Sequence, residues 1–225
     1  MVVDFDLKEE EARRRIATLV IGALGTVVVI ALSLLIGLQF FELVLLLIVV
    51  GFCAMGYNQC ILRGIMTAVA VYISTGVAAT FYPAVAPYVG TILEFFRALA
   101  GSDPLSEGLG GAITPGVARA SLAIAFVALT LVVWIVLEFI SRSLLEDTTL
   151  PGWGILDRVG GMFVYFIVGF LIVSLLFNVI GYGGARRLHD RARLRRTFNR
   201  VLYLHYTAQS FWFPGRPPSI YVYDL

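Results

Sequence analysis

The chain has 225 residues, of which 59% are hydrophobic and 14% charged, against the roughly 25% charged residues usual in soluble domains. Mean hydropathy is +0.89, and the charges gather at the two ends and between long apolar runs. This excludes an ordinary soluble domain and points to an all-α polytopic integral membrane protein of about five transmembrane helices plus interfacial amphipathic helices.

Residues 1–15 form a short charged head in which Lys8, Arg13, Arg14 and Arg15 flank Glu9, Glu10 and Glu11, as suits the first turns of a helix entering a membrane. The first span is expected over 16–38. Its apolar run is too long for a cleavable signal peptide and reads as a signal anchor. A polar break, Gln39-Phe40-Phe41-Glu42, precedes a second span over 41–57. One helix from 16 to 56 would be about 60 Å long, twice the hydrocarbon thickness, so a helical hairpin is expected. A short connection through Asn58–Arg63 leads to a third span over 64–82, closed by Tyr82-Pro83. In the long loop at 84–117, Val89, Ile92, Leu93 and Phe96 recur at helical spacing, which predicts an interfacial helix over 88–100. Gly101-Ser-Asp-Pro and Gly108-Leu-Gly-Gly are turn punctuation. The fourth span is expected over 118–141, followed by a polar loop containing Pro151-Gly152, and the fifth over 158–181, ending near Gly181–Gly184. Residues 184–225 comprise a basic amphipathic helix at 186–206 and an aromatic, Pro-rich tail from Phe211 to Tyr223.

Sixteen of the 17 basic residues are Arg, and eight basic residues lie between Arg186 and Arg216. In the basic helix Leu194, Phe198, Val201 and Leu202 share one side. Arg186, Arg193, Arg196 and Arg200 take the other, and Trp212 follows in the tail. This pattern suits anionic lipid headgroups or a protein partner rather than nucleic acid, whose phosphates have no use for an apolar stripe. Cys53 and Cys60 are seven apart on one helix, about 10 Å between Cα atoms and too far for a disulfide.

Asp157 and Arg158 put an acid and a base at the mouth of the last span, just before Gly160 and Gly161. Charged residues near the bilayer are costly and usually have a structural or functional task. Glu138 and Arg142 are spaced for an ion pair on one helix face. They read either as a snorkelling pair at the interface or as part of an ion or proton relay with Glu42. Small residues, among them Ser74 and Gly76 in the third span and Gly161, Gly169 and Ser174 in the fifth, suit close helix packing or are ordinary span composition. His189 and His205 are isolated, and no metal, cofactor or catalytic cluster accompanies them. The residues therefore suggest no enzyme.

Glu42 before an apolar helix, Gly56-Tyr57-Asn58-Gln59-Cys60-Ile61-Leu62-Arg63 at its end, and Asp157-Arg158-Val159-Gly160-Gly161 with Gly169 together resemble the signatures of the colicin V production protein (CvpA-like) family. The resemblance covers about residues 42–183, and its Asp-Arg-x-x-Gly element is the most specific part. Glu42 stands where the family often has Asp, Cys60 where it often has Gly, and Tyr165 where a Gly is common. The span at 16–38 is additional. The resemblance implies a four-helix module of the bacterial inner membrane, associated with colicin V export, envelope integrity and stress tolerance. Some members anchor an extracytoplasmic serine protease, for which residues 184–225 are too few.

The family pattern places 57–63 and 141–157 in the cytoplasm, with the N-terminus inside and the tail outside. Seven basic residues then lie inside and ten outside, against the positive-inside rule; without the tail the count is seven to two in favour. Three functions follow as expectations: a non-enzymatic packing, assembly or envelope-maintenance component of the inner membrane; a transporter or channel component with Glu42, Glu138 and Asp157 along a route; or an accessory subunit of a larger, energy-transducing membrane complex. Association with itself or with other membrane proteins is expected in the first and third.

Overall fold

The computed structural model describes residues 2–99, 115–144, 154–182, 186–215 and 217. They form six helices: α1 (Val2–Ile36), α2 (Phe40–Leu99), α3 (Pro115–Leu144), α4 (Gly154–Tyr182), α5 (Arg186–Arg191) and α6 (Arg195–Gln209). No strand occurs among the described residues. Four stretches are long and apolar enough to cross a membrane: Arg15–Ile36, Phe40–Phe96, Ala120–Ser143 and Gly154–Val179. The protein is an all-α polytopic membrane protein. The expected turns at 101–104 and 108–111, the Pro151-Gly152 loop, the glycines at 183–184 and the tail beyond 217 lie outside the described residues.

The chain divides into two compact units. One comprises Met1–Ala70, Glu138–Val173 and Ala192–Leu194, the other Val71–Leu137, Ser174–Arg191 and Arg195–Leu225.

In the first unit, α1 ends where the sequence changes from apolar to flexible. Gly37 takes a left-handed φ of 65°, and the Leu38 amide reaches back to the Ser33 carbonyl at 3.1 Å. This wrap satisfies a carbonyl that the helix end leaves open. Gly22 and Gly25 face Ala54 and Val50, so α1 runs antiparallel to the start of α2.

Within α2 one residue, Cys60, leaves helical geometry, with φ 63° and ψ 170°. Contacts with α4 show what this does. Before Cys60 they run in opposite order, Phe52 against Gly169 and Gly56 against Gly161 and Tyr165. After Cys60 they run in the same order, Ile61 against Gly160 and Gly64 against Val164. The chain therefore doubles back at Cys60, with a one-residue turn in place of the expected connection through Asn58–Arg63. The first arm, 40–59, rises about 30 Å and the second, 61–99, about 58 Å.

In the second unit the helix does not stop at Tyr82-Pro83, where the sequence suggests a break. It passes through Pro83 and Pro87 to Leu99, and the expected interfacial helix at 88–100 is its continuation. Proline removes one amide from the ladder and frees the carbonyl four residues earlier. For Pro83 that carbonyl is Ala79, and the backbone of Gly215 lies against it: a Cβ on Gly215 would stand 2.7 Å from the Ala79 oxygen. Packing at the freed carbonyl and the apolar surroundings keep the helix whole. The second unit also differs from expectation in its basic helix. A break at Ala192–Leu194 separates α5 from α6. On α6, Phe198 and Leu202 are fully buried, and Arg196 and Arg200 are exposed, as the apolar stripe implies.

Cys60 occupies backbone space that is nearly exclusive to glycine, at a cost of roughly 1–3 kcal/mol. Cys60→Gly should keep or raise the thermal stability of the purified protein, and Cys60→Val should lower it by about 1 kcal/mol or more. Thermal unfolding in detergent, read by circular dichroism, checks both.

Candidate functional site

The turn at Cys60 gathers most of the residues that the sequence singles out. Asp157 is 3% exposed, and its Oδ1 accepts the Ile61 backbone N–H at 2.9 Å. Ile61 opens the second arm of α2, so its amide lacks an intrahelical partner. The carboxylate supplies one, with a charge suited to the positive end of the helix dipole. Asp157 stands in the first turn of α4, and this bond ties it to the neighbouring arm. Arg158 places its guanidinium 5.9 Å from the centre of the Tyr57 ring, within cation–π range. Arg63 is half-buried, with its Nε enclosed and without a hydrogen-bond partner among the described residues.

Glycines bring the two helices together behind this cap. A Cβ on Gly161 would lie 2.5 Å from the Gly56 oxygen and 2.6 Å from the Cys60 carbonyl carbon. A Cβ on Gly56 would lie 2.6 Å from the Gly161 oxygen, and one on Gly169 2.7 Å from the Phe52 Cβ. Most of the obstructing atoms at Gly161 and Gly56 are backbone, which cannot rotate away. The small residues are therefore sites of close approach.

A chain of polar side chains runs inward from the same end. Arg142 Nε lies 3.3 Å from Glu138 Oε1, the i,i+4 pair that the spacing predicts. Glu138 Oε2 accepts the Thr67 hydroxyl at 3.0 Å, and Thr67 Oγ1 is 3.0 Å from the Tyr165 hydroxyl. Gln59 holds the other side of the Tyr165 hydroxyl. Tyr165 donates its one hydroxyl proton to Gln59 Oε1, and Thr67 has one proton to share between Glu138 and Tyr165. Along the helix axes, Tyr165 lies about 12 Å beyond Asp157 and Thr67 about 9 Å beyond Ile61. The chain thus covers about a third of a 30 Å hydrocarbon layer. Sequence reasoning paired Glu138 with Arg142 but missed Gln59, Thr67 and the Tyr165 hydroxyl. Nothing in the local pattern marks them, because isolated polar residues in membrane helices often bond their own backbone.

Glu42 is elsewhere. It lies 18 residues before Cys60, about 27 Å along the helix. Its carboxylate is fully buried, and both oxygens are engaged: Oε2 accepts Gln39 N–H at 2.9 Å and Oε1 accepts Leu194 N–H at 2.8 Å. The first bond is half of a capping box at the start of α2. The second caps the residue before α6. Arg193, expected at lipid or a partner, bonds the Ile36 carbonyl at the end of α1. Glu42 and Glu138 therefore do not form the relay considered from the sequence.

In the second unit, α6 is fastened to α2 by a buried polar cluster. Thr75 Oγ1 is 2.8 Å from His205 Nε2 and accepts Gln209 Nε2 at 2.7 Å, and Gln209 also donates to the Tyr72 carbonyl at 3.0 Å. Burial pushes the His205 pKa down to about 4, so its ring is neutral at pH 7 and shares a hydrogen bond with Thr75. His189 is 1% exposed and stacked on Phe177 at 4.5 Å. Burial lowers its pKa too, partly offset by its bond to Asp190. Among the described residues no group of His, Cys, Asp and Glu could hold a metal ion. Arg196, Arg200 and Trp212 are exposed, the last at 79%, and Arg186 opens α5.

Two outcomes follow. Gly161→Ala should destabilise the protein by about 2 kcal/mol, and Gly51→Ala, whose Cβ would meet nothing within 4 Å, should leave it unchanged or stabilise it by about 0.5 kcal/mol. Thermal unfolding of both variants in one detergent is the check. A histidine with a lowered folded pKa contributes stability that is complete above its unfolded pKa and is lost as pH falls. From pH 7 to 5 His205 should therefore cost on the order of 2 kcal/mol. His205→Gln should remove that share of the pH dependence in thermal melts.

Comparison with known proteins agrees with this arrangement. A family model described as Colicin V production protein matches residues 41–201, well over half of the chain, and includes both the Cys60 turn and the Asp157 cap. No curated protein and no solved structure matches the chain. The chain belongs to the colicin V production protein family.

Proposed function

We propose that this protein is a non-enzymatic, multi-pass component of the bacterial inner membrane that acts by packing and assembly, and so in envelope maintenance. One observation carries the reading: the buried acids serve as helix ties. Glu42 and Asp157 both accept backbone amides, and Glu138 holds Thr67 and Arg142. Groups so occupied leave little for a reaction. The doubling back of α2 at Cys60 supports five crossings. The family's orientation then puts the N-terminus and the Cys60 turn in the cytoplasm and the tail outside. In this arrangement Arg196 and Arg200 meet anionic headgroups, and Trp212 meets lipid or a partner.

A second reading, a transporter or channel component, draws on the Gln59–Tyr165–Thr67–Glu138 chain. Its reach of about 12 Å falls short of a route across 30 Å of hydrocarbon. A third reading, an accessory subunit of a larger membrane complex, draws on the exposed Phe211 and Trp212. Purification from native membranes under mild detergent should give a complex larger than the monomer, depleted by about tenfold in Gly161→Leu at equal expression. A monomer in both would contradict assembly. Proton leak in liposomes that Glu138→Gln abolishes would favour transport instead.

A further inference from the structure

We infer that α6 is a re-entrant helix whose outer face lines a water-filled crevice reaching the middle of the membrane. The contacts within the second unit set its course. At its beginning, Phe198 stacks on Phe177 at 5.0 Å, and Phe177 is two residues from the end of the apolar run at Val179. This end of α6 is at the membrane boundary. At its far end, Tyr206 meets Phe126 at 6.1 Å, six residues inside the run that starts at Ala120. His205 and Gln209 bond Thr75, and the Tyr72 hydroxyl donates to the Ala208 carbonyl at 2.9 Å. Along α3, Phe126 lies about 9 Å from Ala120, well inside a 30 Å layer. The chain then returns. Phe213 packs on Gly76 and Gly215 on Ala79, four residues and about 6 Å beyond Thr75 on α2. A helix lying flat in the interface would touch its neighbours at one level. This one descends, turns at Ser210–Trp212 and climbs back.

The outer face of α6 does not suit lipid. Phe198, Leu202 and Gln209 form its buried seam, and Arg196, Arg200, Tyr203, Thr207 and Ser210 are exposed opposite, with Leu204 as an apolar side chain among them. Between Tyr72 and Thr75 on α2, the exposed Ile73 is apolar. Polar side chains and irregular backbone at this depth occur where they are covered by protein or lie beside water. Phe211 and Trp212, 82% and 79% exposed, supply the lipid-facing edge. The crevice opens on the side from which α6 enters, and it ends at the Tyr72–Thr75–Gln209 cluster. It is a half-membrane inlet.

The test is accessibility in intact membranes. In a chain carrying Cys53→Ala and Cys60→Gly, single cysteines are introduced as Thr207→Cys, Ser210→Cys and Ile73→Cys, and treated with a charged, membrane-impermeant methanethiosulfonate. Thr207→Cys and Ser210→Cys should both react from one side of the membrane, about tenfold faster than Ile73→Cys. Either variant suffices should the other fail to accumulate. Reaction at 207 and 210 as slow as at 73, or only after solubilisation in detergent, would overturn the crevice.

Discussion

An amide that begins a helix inside an apolar layer has no water to turn to, and leaving it unpaired costs several kcal/mol. The fold depends on how three such amides are satisfied. Asp157 takes Ile61 at the Cys60 turn, and Glu42 takes Gln39 and Leu194 about 27 Å away along the first arm of α2. Each carboxylate joins segments far apart in sequence, and each is buried, so its bonds are strengthened by the low dielectric around it. Breaking one would leave a charge and an amide unpaired together, which makes these ties all-or-none.

The tie at Ile61 in turn requires the backbones to be close, which explains the glycines. Gly56 and Gly161 let the first arm and α4 approach until only hydrogens fit between them. The turn must then be made by one residue, and Cys60 makes it in a conformation that favours glycine. Capping acid, close contact and one-residue turn form one device, and it lies within the residues that the family model matches.

Much of this was legible. Hydrophobic run lengths set the class, the 60 Å argument required a hairpin before residue 57, and the Asp157–Arg158 pair and its glycines marked the motif. What could not be read was the partner of each group. The amides of Ile61 and Leu194 carry no side-chain signal, and Thr67 and Gln59 look like ordinary polar residues of a span. Proline misled at 83, because a tertiary contact at the Ala79 carbonyl supports a helix that local preference would end. The basic stripe was found, but the break at 192–194 depends on Glu42, some 150 residues earlier.

The proposed function rests on where the acids are occupied: buried charges that hold helices suit a protein that presents a defined surface in the membrane. Amide hydrogen exchange at single-residue resolution in lipid nanodiscs tests the ties themselves. The account predicts slow exchange at Ile61 and Leu194, with Asp157→Ala releasing Ile61 alone and Glu42→Ala releasing Leu194 alone. Fast exchange at both amides in the parent protein, or protection indifferent to either substitution, would contradict it.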